Sequence, residues 1–149
     1  MMRGAGLGLV VATLGLLCAP DAAAGGIPVI AAPWLDDIAL ASVTSAGAVI
    51  YVNVARCKEV GSNVCSFVRH HEVGHVKLNH GSTYYTSLFN GRALAEAEAD
   101  CYAAKNAMLV EVKAAVAFFE QPWIANTDIG EHGTGLVRAK RIKACRGLG

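Results

Sequence analysis

The sequence predicts an α+β fold in which two helices pack together with a short β-sheet. Residues 46–54 are rich in β-branched and aromatic side chains and are followed by a polar loop at Cys57, which is typical of a strand. Residues 66–80 carry apolar and histidine side chains at helical spacing, and the pattern ends at Gly81, which indicates a first helix. Residues 92–120 are rich in alanine and precede Pro122, which indicates a second helix.

Three further segments complete this prediction. Residues 58–64, between Cys57 and Cys65, are polar and turn-rich and predict a loop. Residues 81–91 predict a second loop between the two helices. Residues 136–145 predict a short closing helix with its arginine and lysine side chains on the exposed side.

The first 24 residues predict a signal peptide that is separate from the folded domain. Arg3 precedes an apolar run, and small residues with an Ala-x-Ala pattern follow, ending at Ala24. The apolar run is shorter than the ~20 residues of a spanning helix, which argues against the alternative of an uncleaved membrane anchor. We therefore expect cleavage after Ala24 and a mature domain of residues 25–149 that is periplasmic or secreted and does not span a membrane.

The composition is consistent with this division. A chain of 149 residues corresponds to one domain. Hydrophobic residues make up 54% of it, and part of that excess belongs to the predicted signal peptide. The formal net charge of +1 argues against a nucleic-acid-binding protein, which usually carries a basic excess.

The cysteines also indicate export. Apart from Cys18 in the signal peptide, four remain, an even number that suits disulfide formation in an oxidising compartment. Four cysteines allow three pairings. We favour Cys57 with Cys65, which would close the predicted loop, and Cys101 with Cys145, which would join the C-terminal segment to a helix. A zinc ribbon is excluded because no Cys-x-x-Cys spacing occurs.

Chemistry is concentrated in the first predicted helix, where His71-Glu72-Val73-Gly74-His75 form an H-E-x-x-H motif. Histidines four residues apart leave the same face of a helix, close enough to bind one metal ion. Glu72 lies about 100° around the helix, where it can act on a water molecule without being a ligand. The alternative interpretation is two surface histidines on an amphipathic helix.

A catalytic zinc site needs a third protein ligand. One class of zinc peptidase has a histidine at the position of Gly81, and this chain is excluded from that class. Glu96 and Asp100 share one face of the second helix, so we predict Glu96 as the ligand and Asp100 as the residue that orients a ligand histidine. Glu98 would then be solvated. The alternative is a solvated acidic face.

The environment of this site is also predicted. Small residues on both helices would let them approach closely; these are Gly74, Ala95, Ala99 and Ala103. We expect His70 to face outward or to pack beneath the loop. His80, five residues beyond His75, would rotate away from the metal and is not expected to be a ligand.

Together, H-E-x-x-H and the E-x-x-x-D of residues 96–100 resemble the gluzincin zinc metallopeptidases, particularly their HtpX-like branch. The likeness spans residues 46–145 and includes His132 and Arg138. The family often has a proline after the downstream histidine, where this chain has Gly133. The resemblance implies a minimal zincin-like domain with an active-site helix and an alanine-rich ligand helix.

A function and a mechanism follow from this resemblance. One Zn²⁺ held by His71, His75 and Glu96 would polarise a peptide carbonyl, while Glu72 would act as the general base. His132 is the first candidate to stabilise the oxyanion, and Tyr84 or Tyr85 is the second. The substrates would be peptides or unfolded proteins, and the strand at residues 49–53 could pair with them, unless it is an ordinary sheet strand.

Two other interpretations remain open. The chain could be a non-catalytic zinc-binding module with a regulatory or interaction role, or a disulfide-stapled envelope protein without metal. Glu72 favours the peptidase, because a module that only binds metal has no need of a base beside its ligands.

Overall fold

A computed structural model describes residues 26–81 and 88–149, which form an α+β fold as predicted. The predicted signal peptide, Tyr84 and Tyr85 lie outside the described residues. The strands are β1 (Val29–Ala31), β2 (Ala39–Thr44) and β3 (Gly47–Val52). The helices are α1 (Val54–Val60), α2 (Ser62–Lys77), α3 (Gly91–Asn106), α4 (Leu109–Phe119), α5 (Pro122–Ala125) and α6 (Gly135–Arg146), and Gly130–His132 form a 3-10 turn. None of the helices in the described ranges combines the length and apolarity needed to cross a membrane.

The sheet has the order β1-β3-β2, with β3 parallel to β1 and antiparallel to β2. The strand predicted at residues 46–54 is β3, whose buried side chains Ile50 and Val52 pack in a cluster with Val73 of α2. Because β3 has a neighbour on both sides, an extended substrate cannot pair with it. The idea that residues 49–53 bind substrate by strand addition is therefore wrong.

Strand β2 lies at an edge of the sheet within the described residues. The Asn53 N–H donates to the Ile38 carbonyl at 2.9 Å, and hydrogen-bonded pairs alternate along an antiparallel ladder. It follows that Ala39, Ala41 and Val43 direct their backbone N–H and C=O groups away from β3. These groups form the free edge of the sheet.

The loop predicted at residues 58–64 is instead the end of α1 and the beginning of α2. The side chain of Asn53 caps α1 by accepting hydrogen bonds from the N–H groups of Ala55 (3.0 Å) and Arg56 (3.2 Å). Gly61 alone separates the two helices, and its φ of 90° is a conformation that glycine adopts without strain. The cap and this single glycine replace the predicted loop with a helical corner.

Both predicted disulfides are present. Cys57 pairs with Cys65 across the corner between α1 and α2. Cys101 pairs with Cys145 and joins α3 to α6. The helix predicted at residues 136–145 is α6, so the second bridge connects the C-terminal helix to the helix that carries the predicted carboxylate ligands.

The single helix predicted over residues 92–120 is divided into α3 and α4. Ala107 and Met108 between them have extended backbones. Glu111 stabilises the break, because its buried carboxylate accepts the Met108 N–H at 2.8 Å and so caps α4. Alanine favours helix on both sides of the break, so the composition of this segment does not indicate that the chain turns here.

Close packing of α2 against α3 depends on Gly74. A Cβ atom at this position would lie 3.2 Å from the Cα of Ala99 and 3.1 Å from the Cβ of Tyr102. Ala95, Ala99 and Ala103 are buried on the facing helix. The expectation that small residues let these two helices approach is therefore confirmed.

Replacing Gly74 by leucine should lower the free energy of unfolding by about 1–3 kcal/mol, because the added side chain has no room beside α3. Chemical denaturation of purified protein measures this change. Gly81→Leu is the matched control, since nothing lies within 4 Å of a Cβ atom there, and a change below about 0.5 kcal/mol is expected. Equal losses in both variants would contradict the packing explanation.

Candidate metal centre

Three side chains from two helices converge on one point. His71 and His75 extend from the same face of α2, and their Nε2 atoms are 2.9 Å apart. Glu96 of α3 places Oε2 at 3.0 Å from Nε2 of His71 and at 3.4 Å from Nε2 of His75. The group could hold a metal ion, as predicted from the spacing of these residues.

The spacing of these atoms suits a tetrahedral metal. Zinc lies about 2.0–2.2 Å from nitrogen and carboxylate ligands, so adjacent ligand atoms of a tetrahedron are about 3.3 Å apart. The three separations in this group, from 2.9 to 3.4 Å, fall close to that value. Two histidines and one carboxylate are also a ligand set found in catalytic zinc sites, which leave a fourth position open.

Asp100 orients His71 from the side opposite the metal group. Its Oδ1 lies 3.0 Å from Nδ1 of His71, and its side chain is fully buried. Two arginines of α6 balance its charge: Arg138 donates from Nη2 at 2.6 Å and from Nε at 3.2 Å, and Arg141 donates at 2.9 Å. The prediction that basic side chains of this helix are exposed is wrong for Arg138, which is buried because it pairs with Asp100.

The pKa values of this cluster favour a cation at its centre. Burial tends to raise the pKa of Asp100, but Arg138 and His71 hold it well below its usual range. Burial likewise opposes ionisation of Glu96, but hydrogen bonds from His132, His71 and His75 lower its pKa strongly. Burial alone would lower the pKa of His71, whereas hydrogen bonds to Asp100 and Glu96 raise it to about 9. A metal ion needs the neutral ring, so protons compete with metal for this site.

Glu72 lies beside the three potential ligands without belonging to their group. Its Oε2 accepts a hydrogen bond from the Ala41 N–H, on the free edge of β2, at 2.6 Å. Burial raises the pKa of Glu72, opposed by the nearby His71 and His75. The general-base candidate is therefore buried and held by a backbone group of the sheet.

His132 reaches the same cluster from the 3-10 turn that precedes α6. Its Nε2 is 2.8 Å from Oε2 of Glu96, and its ring stacks against that of His71 with centroids 5.9 Å apart. Gly133, with φ of 74°, follows it where the chain turns towards α6. The downstream histidine identified in the sequence is thus beside Glu96.

Two neighbouring side chains make contacts that the sequence did not predict. Glu98 is partly solvated, as expected, but its carboxylate also lies 3.2 Å from Nε2 of His80. His80 is outside the metal group as expected, yet it turns back towards the site, and its Nδ1 is 2.9 Å from Nδ1 of His75. His70 packs towards Glu111, with 3.8 Å between Nε2 and Oε2.

A groove runs past these side chains along the edge of β2. It consists of two cavities of about 410 and 400 Å³, both bordered by Glu72 and His132. The first is walled mainly by apolar side chains, among them Val68, Phe118, Phe119, Trp123, Ile124 and Ile129. The second is more polar and is lined in part by Arg92 and Glu131, which form an ion pair at 3.2 Å.

Comparison of this chain with protein-family models, with curated proteins and with solved structures gives no match. The likeness to gluzincins therefore rests on the paired motifs in the sequence. What the site can do has to follow from its own geometry.

Replacing Asp100 by asparagine should lower the free energy of unfolding by about 3–5 kcal/mol at neutral pH, because it leaves Arg138 buried without its counter-charge. The pKa of Asp100 is depressed in the folded chain. Its contribution is therefore present above about pH 4 and is lost as the pH falls through the folded-state pKa.

Chemical denaturation of wild type and Asp100→Asn in chelator, from about pH 7 down to about pH 2, checks both parts of this prediction. The difference between the two proteins should narrow towards acid. Glu120→Gln is the control, because its ion pair with Lys143 is exposed and should contribute less than about 1 kcal/mol. A pH-independent difference would contradict the assigned role of the Asp100 charge.

Proposed function

We propose that this chain is an exported zinc-dependent endopeptidase with a zincin-like domain, related to the gluzincins. The observation that carries the proposal is the position of the Glu72 carboxylate beside the His71, His75 and Glu96 group, on an open groove. A carboxylate next to a metal site but outside its ligand set is the arrangement that a hydrolytic general base requires.

Each residue of the site would have its own role in peptide hydrolysis. A zinc ion supplies Lewis-acid chemistry and makes water a nucleophile at neutral pH. Glu72 would accept the proton of the attacking water and deliver it to the departing amine. His132 is close enough to the cluster to donate a hydrogen bond to the developing oxyanion. Asp100 would hold His71 in the tautomer that presents Nε2 to the metal.

The groove supports a peptide or unfolded-protein substrate. Along the free edge of β2, next to Glu72, the exposed Val43 and the half-buried Ala41 direct backbone groups away from β3, while Ala39 is buried and the Ala41 N–H donates to Glu72. An extended chain could pair with this edge, so strand addition is proposed at β2 in place of β3. The apolar cavity beside Glu72 is suited to a large apolar side chain of the substrate.

The proposed compartment is the periplasm or the extracellular space. The two disulfides are typical of proteins that fold in an oxidising environment. The N-terminal sequence has the features of a signal peptide, with Arg3, an apolar run and a small-residue cleavage site at Ala24.

Glu72→Gln should leave zinc binding intact and lower peptide hydrolysis by ~10²- to 10⁴-fold, because the general base is lost while the ligands remain. The measurement combines zinc content with hydrolysis of casein and of a fluorogenic peptide, with and without a chelator. Glu59→Gln is the control, since Glu59 lies on the exposed surface of α1 in an ion pair with Arg56.

The outcomes of this experiment separate the possible functions. Zinc-loaded wild type without hydrolysis would indicate the regulatory or interaction module. Purified mature protein that binds no zinc would exclude both metal functions. Unchanged hydrolysis by zinc-loaded Glu72→Gln would overturn the role proposed for this side chain.

Ala41→Pro should lower kcat by about 10²-fold with zinc still bound, because it removes the N–H that holds Glu72 and misplaces the base. The ladder between β2 and β3 should survive, since this N–H points away from β3 and proline is tolerated at such edge positions. Val43→Pro removes a second edge N–H that makes no contact with Glu72 in the structure. If substrate pairs with β2, Val43→Pro should raise KM, whereas only Ala41→Pro should lower kcat. Equal kcat values in wild type and Ala41→Pro would show that this contact does not position the base.

A further inference from the structure

A series of hydrogen bonds extends from His75, the second proposed metal ligand, on the side of its ring away from the metal group. Its Nδ1, on the ring side away from the metal group, lies 2.9 Å from Nδ1 of His80. The other ring nitrogen of His80 lies 3.2 Å from Oε2 of Glu98. His80 is well shielded, with 4% of its side chain exposed, while Glu98 reaches towards the surface with 40% exposed.

The backbone at the end of α2 places His80 next to His75. The His80 N–H donates to the His75 carbonyl at 3.0 Å, and the Asn79 N–H donates to the Val76 carbonyl at 3.2 Å. Asn79 has a φ of 56°, which is a left-handed conformation. Together with these two hydrogen bonds it forms a pattern that ends many helices. The turn at Asn79 therefore folds the chain back, so that the His80 ring lies against the ring of His75.

The partners in this chain determine which nitrogens carry protons. A carboxylate only accepts hydrogen bonds, so the His80 nitrogen that faces Glu98 is a donor. A neutral His80 then has a bare Nδ1, which accepts from Nδ1–H of His75. His75 is left with a bare Nε2, and this is the atom that faces His71 and Glu96.

We infer that His80 and Glu98 are positioning residues that hold His75 in the tautomer and orientation needed for metal binding. This inference deepens the proposed function and rests on its metal site. Asp100 makes the equivalent contact with His71 directly. The two ligand histidines thus have separate carboxylates behind them, one in direct contact and one acting through a second imidazole.

Two measurements on the full mature protein test the inference. The first is the zinc dissociation constant, obtained by competition with a chromophoric chelator. Loss of a group that orients a metal ligand weakens metal binding by about 10- to 100-fold. We expect a loss in this range for His80→Leu, a smaller loss for Glu98→Gln, and partial recovery in His80→Gln, whose amide can still accept from His75 and donate to Glu98.

The second measurement is the ¹⁵N NMR spectrum of the histidine rings in chelator-treated protein, which reports the tautomer directly. His75 should carry its proton on Nδ1 in wild type and lose this preference in His80→Leu. A merely structural role of His80 would not move this signal. His70→Leu is the matched control, because His70 is on the same helix but packs towards Glu111.

The inference is overturned if folded His80→Leu binds zinc as tightly as wild type and keeps the wild-type tautomer of His75. Glu98→Gln decides the matter if His80→Leu does not fold, because 40% of the Glu98 side chain is exposed. Unchanged zinc affinity and an unchanged His75 tautomer in this variant then overturn the inference. If wild type binds no zinc, the proposed function fails, while the tautomer measurement in metal-free protein still tests the arrangement behind His75.

Discussion

The buried charge of Asp100 is the constraint on which the arrangement of the helices depends. One carboxylate of α3 contacts His71 of α2 and both Arg138 and Arg141 of α6. A fully buried carboxylate is stable only with such partners, so the three helices have to assemble together. The disulfide between Cys101 and Cys145 joins α3 to α6 next to this contact. The orientation of a ligand histidine is thus linked to the packing of the whole helical layer.

The helix α2 connects this charged centre with both parts of the core. Phe67 contributes to an apolar cluster with α3, α4 and α6, whereas Val73 contributes to the cluster beneath the sheet. Between them on the same helix lie His71 and Glu72, so the reactive side chains are fixed by packing on either side. This packing on both sides holds the backbone of α2 that carries the two side chains.

The sequence predicted the site better than it predicted the fold around it. Histidines four residues apart share one face of a helix, so the pairing of His71 with His75 followed from local spacing. Glu96 was expected because a catalytic zinc site needs a third protein ligand. Strand β2 was not predicted, because it consists largely of small residues. Its contact with Glu72 was not predicted either, because it joins positions 31 residues apart. The contact of His80 depends on a left-handed Asn79, and an asparagine after a helix was a signal that could have suggested it. The break at Met108 had no equivalent signal. Glu111 caps the helix from three residues further on, but the N-cap position itself holds Met108, where serine or threonine would have indicated a helix start.

The arginines that balance Asp100 follow it by 38 and 41 residues along the chain. A growing polypeptide therefore contains both histidines and Glu96 well before it contains their electrostatic support. Until α6 emerges and docks, Asp100 has no arginine of α6 to neutralise it and resists burial against α2. Burial of Asp100 against His71, and with it the final position of that ring, therefore has to wait until synthesis has passed Arg141.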